Sequence, residues 1–283
     1  MLDAVTAEAL KMRRHRGTWL MVWIYPIVTL LIAAGSLAYY AIAGSGAAEP
    51  PGPAAAWIAD SALFWRAPAS PPGRFLVAGF AALLFAGEYG WNTWKLVIPA
   101  RARWQLIAAK WAVAVGFVFL ALLVTDLIVL ASEWLRTLQG SPIPEGVTAS
   151  ALLGAHARAA AYALLPIAYA VAFAGLFAVL TKSILATVIL SIVLLFLEGL
   201  LPILGVFGYS RAPEVTRFLV EVLPTYHVLN MNNWAKSEVG LVLPLGPDAS
   251  IALSCLTSLL AMLGWIGIAA AGTLLRFTRQ DLN

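Results

Sequence analysis

The sequence predicts an all-α integral membrane protein with six transmembrane helices, and three observations predict it. The 283 residues are 61% hydrophobic and only 11% charged, with a mean hydropathy of +0.86. Six apolar stretches approach or exceed the roughly 20 residues needed to cross a hydrocarbon core. Basic residues gather at alternate ends of those stretches. A soluble domain carries about 25% charged residues. A chain this apolar could not cover its surface in water, so the bilayer is its solvent.

The spans fall at 19–42, 74–86, 106–131, 159–180, 184–207 and 251–275, within a single transmembrane domain over 1–283. The second is shortest and must borrow residues from a flank. Only Thr181, Lys182 and Ser183 part the fourth from the fifth, which makes these a tight helical hairpin. An even number of spans puts both termini on one side. With that side cytoplasmic, eleven basic residues face four acids there, while the outer segments hold seven basic residues and eight acids. This obeys the positive-inside rule and places the chain in the cytoplasmic membrane. The first apolar run exceeds the 7–15 residues of a signal-peptide core, so it reads as an uncleaved span. Cys255 is the single cysteine, which excludes an internal disulfide.

Two outer regions differ. Residues 44–72 are rich in Ala, Gly, Pro and Ser and are expected to be irregular. Residues 209–250 contain Val215, Phe218, Leu219 and Val222 at helical spacing, stopped by Pro224. That pattern fits a short helix at the outer face, either dipping into the bilayer or lying on the surface.

The stretch GEYGWNTWKLVIPARARW, 87–104, interrupts the apolar runs. As a helix over 88–98 it places Glu88, Asn92 and Lys95 on one face and Trp91, Trp94 and Ile98 on another. Tryptophan favours the headgroup level. The segment is therefore expected to lie along the inner surface, with Pro99 ending it and Arg101 and Arg103 meeting lipid phosphates. The N-terminal stretch 1–17 repeats the pattern, with Val5, Ala9 and Met12 on one face and Lys11, Arg13 and Arg14 as inner-surface anchors. Lipid binding alone would satisfy both segments.

In this order of features the chain resembles the membrane subunit of type-2 ATP-binding-cassette (ABC) exporters, the type V permeases. The resemblance rests on AEALKMRRHRGTW leading into a span with Pro26, on AGEYGWNTWKLVIPARARWQLIAAKW, and on a last span closing with RFTRQDL. It implies that 88–98 is a coupling helix, with Glu88, Tyr89, Asn92, Thr93 and Lys95 addressing a nucleotide-binding subunit. It also implies that 1–17 is a connecting helix, that 209–250 is a re-entrant outer helix pair, and that permeases pair as copies or homologues. The GWNTW run is bulkier than the family motif. A P-loop needs G-x-x-x-x-G-K-[ST], and the chain has no Gly-Lys dipeptide. ATP and Mg are thus expected on a partner ABC ATPase, with no cofactor, metal or catalytic residue in this chain.

Acids inside spans are costly and read as functional by default. Asp126 and Glu198 are the two, each in the outer half of its span. Asp126 reads as a rim residue and Glu198 as either protonated or bonded to a neighbouring helix, with a cavity or gate role as the sharper hypothesis for either. Small residues at 170, 174 and 178, at 112 and 116, and at 267 and 271 read as packing seams. Neither H-E-x-x-H nor G-x-S-x-G occurs, and His15, His156 and His227 lack ligand spacing. A permease moving lipid, hydrophobic drug or peptide is the leading function. An ion-gradient transporter or a membrane scaffold is the alternative.

Overall fold

The computed structural model describes residues 1–43, 52–90, 93–94, 101–246 and 249–280. The chain opens with α1 (Leu2–Arg13), α2 (Arg16–Met21) and α3 (Ile24–Ala43), then α4 (Ala54–Ser61) and a 3-10 turn (Leu63–Ala69) leading into α5 (Pro71–Gly90). Three long helices follow: α6 (Arg103–Leu138), α7 (Ala149–Thr181) and α8 (Ile184–Tyr209). A shorter pair, α9 (Pro213–Val222) and α10 (Pro224–Ser237), precedes an antiparallel hairpin of β1 (Val242–Gly246) and β2 (Ala249–Ala252). The last helix is α11 (Cys255–Thr278).

Among the described residues, α3, α6, α7 and α11 are long and apolar enough to cross a membrane. The 3-10 turn and α5, bent by 64° at their junction, together have the length and hydropathy of a broken span or a re-entrant loop. In α8 the stretch Ile184–Leu200 is apolar but shorter. The fold is therefore a largely helical, multi-pass membrane protein. At 1.5 Å per residue, α6 and α7 measure about 54 and 50 Å. Both exceed a hydrocarbon core of roughly 30 Å, so each projects well beyond it or tilts.

Helix α5 has the shortest apolar run of the predicted spans because it is the interior helix. Val77, Phe80, Ala81, Leu84 and Phe85 are wholly buried, packed largely against α7. A helix walled by protein can cross with fewer lipid-facing apolar residues than an exposed one. Its bend from the 3-10 turn needs Gly73, where a Cβ would collide with the Ala67 carbonyl. Helices α3 and α11 are peripheral, with Leu31, Ile32, Leu260 and Ile268 more than half exposed. In a bilayer these side chains meet lipid.

The packing seam expected at Ala170, Ala174 and Ala178 is buried in the core cluster. Gly116 and Gly267 instead face open space with their stripes, so those two seams do not form within the chain. The irregular loop expected over 44–72 is also corrected. Its first residues lie outside the described ones, but Ala54–Ser61 is α-helical, favoured by the four alanines of AAAWIAD, and Leu63–Ala69 is a 3-10 turn.

The apolar face at Val215, Phe218, Leu219 and Val222 exists on α9 and points away from the protein, with Phe218 62% exposed. Pro224 separates α9 from α10. The hairpin over 242–252 displaces the start of the last span from 251 to Cys255. Asn230 ties hairpin to helices: its amide donates to the Leu253 carbonyl and Ser258, and its oxygen accepts from the Leu241 N–H.

Candidate functional site

At the end of the molecule that carries both termini, α1, the end of α5 with Thr93 and Trp94, the start of α6 and the end of α11 converge. Each contributes polar groups because each is a helix end with backbone and side chains left to satisfy. Glu88, in the last turn of α5, is 4% exposed. It accepts from Lys11, from Thr93 Oγ1, and from Lys110 Nζ at 3.0 Å. Lys110, 2% exposed on α6, also donates to Glu8 Oε1 at 2.7 Å and to the Leu84 carbonyl at 2.8 Å.

Three donors therefore meet three acceptors around one ammonium, which is its full capacity. The Trp94 ring lies 5.2 Å away. A buried lysine persists only with such pairing, because an uncompensated charge in a low-dielectric interior is costly. Two acids and two lysines make the cluster neutral. It borders a cavity of about 410 Å³ lined by Asp3, Glu8, Lys11, Glu88, Thr93 and Lys110, among others. At its exposed rim Arg101 pairs with Asp3 at 2.9 Å.

A second set of bonds brings in the chain's last helix. Arg103 Nη1 donates to the carbonyls of Phe277, Thr278 and Gln280 at 2.8–3.0 Å. The Gln280 amide donates to the Val179 carbonyl at 2.6 Å and its oxygen accepts from Tyr89 Oη at 2.7 Å. The Trp94 ring lies tilted at 4.5 Å from Phe277 and meets Tyr89 edge-on at 5.6 Å. Helix α1 docks by the predicted face: Met12 is fully buried, with Val5 and Ala9 packed on the same core. Thr18 Oγ1 donates to the Met12 carbonyl, fastening α2 to α1.

The structure thus brings together Glu88, Tyr89, Thr93, Lys11, Arg101 and Arg103. Arg13 and Arg14 are exposed on α1. Asn92 and Lys95 lie outside the described residues, and so does most of the helix expected over 88–98. Within the described residues, Glu88 lies in the last turn of α5, which runs to Gly90. Sequence reasoning missed Glu8, Trp94 and Gln280 as members, and Lys110 as the hub. Lys110 was visible as a lone cation inside an apolar helix.

Asp126 and Glu198 lie elsewhere, and neither is open to water. Glu198 on α8 is 2% exposed; it pairs with Arg74 of α5 and accepts from Tyr169 Oη of α7. It faces those partners. Asp126 is likewise 5% exposed rather than a wet rim residue. Its carboxylate lies 2.8 Å from His156 Nδ1, and His156 Nε2 lies 3.0 Å from Ser61 Oγ.

The order Ser–His–Asp matches a nucleophile, base and orienting acid, yet the chemistry is wrong. Ser61 Oγ donates to the Ile58 carbonyl at 2.8 Å, and it sits at the C-terminal end of α4, where carbonyls rather than N–H groups point at any developing oxyanion. With that hydroxyl proton spent on Ile58, Ser61 Oγ is left as an acceptor toward His156 Nε2, and Asp126 lies within hydrogen-bond reach of the other ring nitrogen. The three form a clasp joining α4, α6 and α7.

The architecture defines a class: a multi-pass helical membrane protein whose charged side chains concentrate at helix ends and in a few closed interior pairs. A family model described as ABC-2 family transporter protein matches residues 4–198, well over half of the chain, and the chain belongs to that family. It is a membrane permease component of an ABC transporter, and the family implies partnership with an ABC ATPase subunit. Comparison with curated proteins gives no match. The family match ends at Glu198, so α9, α10, the hairpin and α11 lie beyond it.

Proposed function

We propose that this protein is the permease of an ABC exporter, with six spans, both termini in the cytoplasm and a second permease, identical or homologous, completing the path. ATP and Mg bind to the separate nucleotide-binding subunit, and this chain contributes no catalytic group. The segment 88–98 is the coupling element that meets that subunit. The cargo class best suited to the apolar walls is a lipid, a hydrophobic drug or a peptide.

The observation that carries the reading is the four-way convergence on Glu88 and Lys110. A force applied to the segment after Gly90 acts on α5 directly and reaches α1, α6 and α11 through ion pairs and the Arg103 and Gln280 bonds. A neutral network of several partners suits this role because it can exchange pairs without stranding a charge. Positive charge at this end agrees with a cytoplasmic location.

The test is co-purification of the full chain from its native membrane with an ABC ATPase subunit, with ATPase activity read in the complex. Glu88→Arg places a third cation among Lys11 and Lys110 and is expected to abolish both association and stimulation. Retained association and stimulation in a folded Glu88→Arg protein would remove Glu88 from the coupling role. Cargo movement in vesicles without any ATPase would overturn the exporter reading.

A further inference from the structure

Away from the termini, α4 and α7 turn small residues toward each other: Ala55, Ala59 and Ala62 on one side, Ala151, Gly154 and Ala155 on the other. Their spacing puts each set on one helical face. Such faces allow helices to close together in lipid, yet here they bound a cavity of about 410 Å³. That lies within the roughly 300–1,000 Å³ of ligand sites. The Ser61–His156 bond and the packed Trp65 of the following turn hold α4 in place, so the gap belongs to the architecture.

The rim is charged by Arg66, Arg158, Lys236 and Glu238. Arg66 donates to the Ala59 carbonyl at 2.9 Å and stands 3.8 Å from the exposed Asp60. Arg158 pairs with Glu238, and its Nε is buried without a hydrogen-bond partner. Lys236 pairs with no carboxylate among the described residues. The four rim groups carry three positive charges and one negative, and with Asp60 beside Arg66 counted one positive charge remains in excess, the complement of a phosphodiester monoanion. Depth agrees. Arg158 stands 23 residues before Thr181 on α7, about 35 Å along the helix. With Thr181 at one membrane face and a core of roughly 30 Å, Arg158 reaches the headgroup level of the other leaflet.

We infer that this cavity is a headgroup site for an anionic phospholipid of the leaflet away from the termini, with Arg66 and Arg158 on the phosphate and the alanine walls against its glycerol and upper acyl carbons. The inference rests on the membrane placement given above and adds a ligand to it. The full-length protein, purified in neutral detergent without an ATPase, is titrated with phosphatidylglycerol or with phosphatidylcholine of the same chains, and bound lipid is counted by native mass spectrometry. Phosphatidylglycerol is expected to bind at one saturable site at least tenfold more tightly than phosphatidylcholine.

The double variant Arg66→Gln/Arg158→Gln is expected to lose that preference. Gly154→Leu keeps every charge and enters open space, since an added Cβ there meets nothing within 4 Å; it is expected to weaken binding at least tenfold. Equal binding of the two lipids overturns the proposal. So does unaltered binding by Gly154→Leu, which would leave only surface attraction; this variant decides alone where the double variant fails to fold. Saturable binding in a protein that recruits no ATPase would sink the exporter reading and leave the lipid site standing.

Discussion

Two clusters of charge sit in this protein under opposite conditions. Around Lys110, two acids, two lysines, a carbonyl and a threonine crowd beside a 410 Å³ cavity. Around Glu198, one arginine and one tyrosine close on one carboxylate, all at least nine-tenths buried. The first has redundancy, because losing one bond leaves others. The second has none. The comparison separates a network able to exchange partners under load from a tether that is either whole or broken.

The tether should give the largest response. Arg74→Ala or Glu198→Ala leaves a buried charge uncompensated and is expected to cost about 3–5 kcal/mol, read as lost folded yield or a lowered thermal midpoint in detergent. The double variant Arg74→Gln/Glu198→Gln removes both charges and should recover most of that loss. If the single variants cost as little as a surface pair, the contrast between the clusters fails. Lys110→Ala should come next, at about 2–3 kcal/mol by the same midpoint. Glu8 and Glu88 lose a shared cation, but Lys11 remains to them. A loss as large as that of Arg74→Ala would mean the network is as brittle as the tether.

Tyr169→Phe sharpens the interior side, since it deletes one hydrogen bond to a charged acceptor while leaving Arg74 in place. About 1.5 kcal/mol is expected, with no change in folded yield. Smallest is Arg101→Ala at the solvated edge of the network. Its partner Asp3 is 81% exposed, so the change is expected to stay near or below 0.5 kcal/mol and to vanish in high salt.

How far these clusters could be read beforehand depends on the range of the signal. Membrane character, the long helices, α1 and its apolar face, and the unusual chemistry of 87–104 all follow from local composition and periodicity. So did the choice of Asp126 and Glu198, because an acid inside an apolar run stands out. Their partners did not. Arg74 lies 124 residues from Glu198 and Ser61 lies 95 from His156, and hydropathy carries no term for pairing at that distance. His156 looked like a lone histidine for the same reason.

The helix over 54–61 was hidden by the Gly, Pro and Ser around it. The hairpin was hidden by Pro244, which sits at the register shift opposite Ser250 and reads as a strand breaker. Helix α5 shows the converse error. Its apolar run was the shortest of the six predicted spans and needed residues from a flank, because lipid-facing length was the yardstick for a helix enclosed by protein.

The guanidinium of Arg103 closes off the final turn of α11 by holding the carbonyls of Phe277 and Thr278 and that of Gln280 just beyond, yet it belongs to the first turn of α6, directly downstream of the segment assigned to the ATPase. Displacing that segment enough to withdraw Arg103 would leave those carbonyls bare, and the last turn of α11 would fray. The molecule therefore carries its own strain gauge: amide exchange at Phe277 and Thr278 should quicken whenever the partner pulls, and stay slow when it merely rests in contact.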